Sequence, residues 1–126
     1  MMLLCLLLPF AGPDKPPEKP AVVEIEGHYA CLGKAGEAEY AGYVVIAKRG
    51  EVYVVSWALP GSATIGIAIR EGNKLAVGCR GLDGVIGTVL YAIERDEAGN
   101  PGLAGKWAGL PGDGKQYSEQ LRFLKR

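Results

Sequence analysis

From Ala21 onward, apolar residues recur at every second position in short runs, and each run is closed by glycine, proline or a charged turn. Period-two alternation marks a strand with one buried face. Eight such segments are predicted: about Val22 to Leu32, Tyr40 to Lys48, Val52 to Ala58, Thr64 to Arg70, Leu75 to Arg80, Val85 to Arg95, Leu103 to Ala108 and Ser118 to Leu124. The breaks between them, such as Leu59-Pro60-Gly61 and Glu71-Gly72-Asn73, carry turn chemistry. No segment holds a helical period for long. The last, YSEQLRFLKR, is the most ambiguous and could form one helical turn.

Every connection after the first segment is short, whereas parallel strands need crossovers of about a dozen residues or more. The expected topology is therefore an antiparallel meander. Parity then assigns faces. Val23, Ile25, Tyr29 and Cys31 share one side of the first segment, against Glu24, Glu26 and His28. Tyr53, Val55 and Trp57 fall together, as do Leu75, Val77 and Cys79, then Val85, Val89, Tyr91 and Ile93, and finally Leu121 and Phe123. Ile65, Ile67 and Ile69 oppose Gly66, Ala68 and Arg70, and are expected to form the apolar, buried side of the fourth segment. One apolar face on every strand favours closure into an all-β, eight-stranded up-and-down barrel, or a flattened barrel or sandwich.

Composition adds three points. The 19 glycines far exceed the usual share of roughly 7% and have no period, which suits a bent sheet and not collagen. Fourteen basic and fourteen acidic residues cancel, so there is no concentrated cationic face to displace counterions from nucleic acid. The start, residues 1–12 (MMLLCLLLPFAG), is uncharged and apolar but shorter than the about 20 residues a membrane span needs, and reads as a signal-peptide-like segment. Residues 13–20, PDKPPEKP, form an extended proline-rich linker, and 21–126 form the single folded domain. The expected location is secreted or periplasmic, with no membrane span.

Chemistry is sparse. His28 is the only histidine and falls on a polar face, so neither a histidine-dependent nucleophile nor a metal site is expected. No phosphate-binding glycine loop precedes a helix. The carboxylates at Asp83, Asp96, Glu97 and Asp113 sit in turns, and those at Glu24, Glu26 and Glu94 on polar faces. No enzyme activity and no cofactor are expected. Cys31 and Cys79 both fall on inward faces; in an oxidising compartment they could bond, or stay as small buried thiols. Tyr29, Tyr43, Tyr53, Trp57, Tyr91 and Trp107 are the large residues with polar handles expected inside. They are the candidate ligand-binding set, or else fill the core.

Gly27-His28-Tyr29 on the first segment, eight meandering strands and a basic last strand resemble the calycin barrels of the lipocalin and avidin type. In that pattern the first strand carries G-x-W, and a basic residue at the barrel end stacks on the Trp. Tyr29 stands at the Trp position, and Arg122 or Arg126 would take the basic role. The resemblance implies a barrel that binds a small apolar ligand or a protein partner. The alternative expectation is a structural or adhesive module that meets a matrix or envelope protein, and a hydrolase is the least favoured.

Overall fold

The computed structural model describes residues 22–126. The signal-like segment and the linker assigned to 1–20 lie outside the described residues. The strands are β1 (Gly27–Ala35), β2 (Ala38–Arg49), β3 (Val52–Leu59), β4 (Ser62–Glu71), β5 (Lys74–Gly81), β6 (Ile86–Arg95), β7 (Pro101–Leu110) and β8 (Tyr117–Lys125). Each pairs antiparallel with the next, and β8 pairs with β1, so the sheet closes into an up-and-down barrel and not a sandwich. The ambiguous C-terminal stretch is a strand because both its edges are paired, with β1 and with β7.

Two hairpin ends show how local sequence sets the register. Gly50 and Gly72 have φ of 61° and 62°, each at the first of the two residues that link paired strands. A positive φ there matches the twist of the flanking strands, and glycine takes it without steric cost.

The core lies inside the barrel. Tyr29, Val44, Val55, Leu75, Val77, Tyr91 and Leu103 are all buried there. Parity assigned the faces correctly for β1, β3, β5, β6 and β8, but β4 is reversed. Ile65, Ile67 and Ile69 are 59–67% exposed on the outer wall, while Gly66 and Ala68 point inward. The reason is volume. Ala68 pairs with Tyr53, and Gly66 pairs with Val55 and Cys79. A Cβ on Gly66 would already lie 2.8 Å from Val77 Cγ1. An eight-stranded barrel is only just wide enough for its side chains, so small residues on β4 leave room for the large ones on β3.

The first strand also starts later than the expected Val22. The stretch Val22–Glu26 leaves the ladder and folds under one end of the barrel, with Ile25 completely buried. Tyr29 donates its hydroxyl to the Ile25 carbonyl at 2.7 Å, and Arg70 Nη1 donates to the Val23 carbonyl at 2.6 Å. Phe123 packs edge-on against Tyr29, with ring centroids 5.6 Å apart. Arg126 lies 5.9 Å from the centre of the Phe123 ring and donates to the Glu26 carbonyl. Of the two basic candidates, Arg126 therefore sits at the barrel end, reaching Tyr29 through Phe123. Arg122 is exposed on the outer wall. This end is closed.

Candidate functional site

The other end is open. The β1–β2 and β3–β4 hairpins, the β5–β6 loop and the end of β7 border a cavity of about 650 Å³. Its wall includes Tyr40, Trp57, Leu59, Thr64, Cys79 and Trp107, and Glu119 belongs to it as well.

Glu119 is the only polar or charged side chain buried among the described residues, at 4% exposure. Three donors converge on it. Tyr40 Oη donates to Oε1 at 2.7 Å, Trp57 Nε1 donates to Oε2 at 2.9 Å, and the Tyr91 hydroxyl donates to Oε2. A carboxylate offers about four acceptor positions, so these donors offset most of the cost of burying it.

The pairing of the strands explains the convergence. Tyr40 pairs with Gly33, Gly33 with Glu119, Glu119 with Gly105, and Gly105 with Tyr91. One row across β2, β1, β8, β7 and β6 thus reads Tyr, Gly, Glu, Gly, Tyr. Each tyrosine lies over the neighbouring glycine to reach the same carboxylate. A Cβ on Gly33 would fall 2.2 Å from Tyr40 Cζ, and one on Gly105 would fall 2.6 Å from Tyr91 Cδ1. Both approaches require glycine.

Trp107 lies diagonally from Glu119 on the adjoining strand, because Trp107 pairs with Tyr117 and Gly105 with Glu119. Its ring packs edge-on to Tyr40 at 6.2 Å between centroids and against Tyr117 at 5.1 Å. Its indole nitrogen is buried without a hydrogen-bond partner. A donor in that state is costly unless something supplies an acceptor.

Burial, reinforced by the Glu119 carboxylate, pushes the Tyr40 and Tyr91 hydroxyls above their ordinary range. The same two causes, in the same order, raise both the Cys31 and Cys79 thiols. Both therefore stay protonated and poor nucleophiles at neutral pH. Cys31 and Cys79 are free thiols in this structure. They stand on β1 and β5, four strands apart whichever way the barrel is followed.

Of the six aromatic candidates, Trp57 and Trp107 line the cavity. Tyr91 is wholly buried and joins the site through Glu119. Tyr29 belongs to the closed end, and Tyr53 is a core residue. Tyr43 is corrected outright. It is 64% exposed on the outer wall, because it has the opposite parity to Val44 and Ile46. Sequence reasoning passed over Tyr40 and Glu119. Glu119 lies two residues before Leu121 and four before Phe123, so parity places it inside, whereas Tyr40 shares a face with Val44 and Ile46, which the structure and not the sequence shows to be the inner one. The residue type of Glu119 masked the signal. Polar groups do converge here, contrary to the expectation of solvated carboxylates alone.

No protein-family model matches the chain, and no match exists among the curated proteins. Among the described residues no helix is long and apolar enough to cross a membrane, and no cluster of histidine, cysteine and carboxylate could hold a metal ion.

Proposed function

We propose that this chain is an exported, non-catalytic barrel of calycin type that binds a small molecule at its open end. The observation that carries the reading is the cavity of about 650 Å³, walled by two tryptophans and a tyrosine, with the Glu119 network in its lining. Small-molecule sites are concave, mostly apolar, and fixed by a few polar groups, with volumes of roughly 300–1,000 Å³. The non-catalytic part is supported by the protonated thiols and by the position of His28, which is exposed on the outer wall.

Binding of Nile red, a neutral polarity-sensitive dye, tests the reading. Saturable 1:1 fluorescence enhancement is expected with the native chain, and its loss is expected in Thr64→Phe, which fills the cavity wall next to Trp57. Equal binding by both proteins would remove the mouth as the site.

A second reading is supported by Ile65, Ile67 and Ile69, which form an exposed apolar row on the outer wall of β4. Contiguous apolar surface of this kind marks a protein-docking face. Sedimentation velocity of the native chain and of Ile67→Lys tests its simplest form, a second copy on that wall. A dimer abolished by the substitution supports it, and a monomer in both cases opposes it.

A further inference from the structure

The wall of the mouth cavity is electrostatically one-sided. Among the described residues it holds three carboxylates, from Glu119 and from the exposed Glu39 and Asp83, and no lysine, arginine or histidine. The chain as a whole is neutral, with 14 residues of each sign, so this is a local arrangement. Glu119 has no cationic partner among the described residues. Its three hydrogen bonds come from two phenols and an indole, all neutral donors. In this largely apolar site burial, reinforced by the Glu119 carboxylate, raises Tyr40, Tyr91 and both thiols. Three aromatic residues, Trp57, Trp107 and Tyr40, line the same volume among small and aliphatic side chains, with Tyr40 and Trp107 edge to face. Electron-rich ring faces attract a cation most strongly where water is excluded.

We infer that the mouth cavity takes a small organic cation, an amine or quaternary ammonium on an apolar body, placed among Tyr40, Trp57 and Trp107 and facing Glu119. The inference rests on the ligand-binding reading above and narrows its ligand class. A carboxylate or phosphate ligand is disfavoured by the three acids in the wall, which no cation among the described residues offsets. A neutral apolar ligand would leave the Glu119 charge without compensation.

The test is a titration of the full chain with three probes that share a benzyl group: benzyltrimethylammonium, benzyl alcohol and phenylacetate. Isothermal titration calorimetry reads each affinity. The cation is expected to bind about tenfold or more tighter than the alcohol, and phenylacetate to bind weakest. Glu119→Gln is expected to cost the cation about tenfold while leaving benzyl alcohol within about twofold. If that variant does not fold, the three-probe ranking on the unaltered protein decides by itself. Equal affinity for cation and alcohol would overturn the cationic class and leave a general ligand site standing. No binding of any probe up to about 10 mM would overturn the class and the ligand-binding reading together.

Discussion

Gly33 and Tyr40 face each other across β1 and β2, and the phenol ring occupies the space where any other residue at 33 would carry its side chain. This contact lets the Tyr40 hydroxyl reach Glu119 on the far side of β1. Gly33→Ala should therefore expel the ring, break that hydrogen bond and cost about 1–3 kcal/mol in urea denaturation. Adding Tyr40→Ala to it should recover part of the loss, because the second change removes the clash. Full additivity of the two losses would mean that Gly33 does not act through Tyr40.

Glu119→Leu removes the common acceptor and leaves two phenols and an indole without it. Buried donors without partners cost about 1–3 kcal/mol each, less what water in the cavity restores, so a net loss of about 2–5 kcal/mol is expected. A loss below about 1 kcal/mol by denaturant midpoint would show that the three hydrogen bonds contribute little to folding.

The reversed face of β4 is tested by a pair of neighbours. Ile67→Thr on the outer wall should change stability by no more than about 0.5 kcal/mol. Ala68→Leu, at a position with no exposed surface, should overpack the interior against Tyr53 and cost about 1–3 kcal/mol. The opposite ranking would restore the expectation read from the alternation of isoleucines.

Alkaline pH tests the buried hydroxyls and thiols. Tyr29, Tyr40, Tyr91, Cys31 and Cys79 all have raised pKa values, chiefly from burial. The folded protein holds their protons where the unfolded chain releases them, from about pH 8.5 for thiols and about pH 10 for phenols. Their contribution is complete below about pH 8.5 and declines as pH rises toward the folded-state values. The urea midpoint should be nearly level between about pH 7 and 8 and should fall progressively above about pH 9. A midpoint that holds or rises to pH 11 would contradict this. At pH 8 both thiols should also resist iodoacetamide until the protein is unfolded.

Strand number, order and antiparallel closure were legible because turn residues interrupt a period-two pattern seven times, with links too short for any crossover. The face of β4 was not. Isoleucine against glycine and alanine reads as buried against exposed, yet β3 supplies Tyr53 and Trp57, and only small neighbours leave them room. Half of the site was also legible. Trp57 and Trp107 fell inside by parity and line the cavity, whereas Tyr43 was assigned inside although its own strand carries Val44 and Ile46 on the inner face. The Tyr40–Gly33–Glu119–Gly105–Tyr91 row escaped because its members are spread over five strands. It emerges only once β8 pairs with β1 and the register is known.

Trp57 and Trp107 are the chain's only tryptophans, and both border the cavity, so their two indole N–H resonances report its occupancy directly. In a ¹⁵N–¹H correlation titration with benzyltrimethylammonium, both resonances should shift and saturate together, while the amides of Ile65, Ile67 and Ile69 on the outer wall stay in place. Unmoved indole signals throughout the titration, or shifts confined to β4, would contradict a ligand site at the mouth of the barrel.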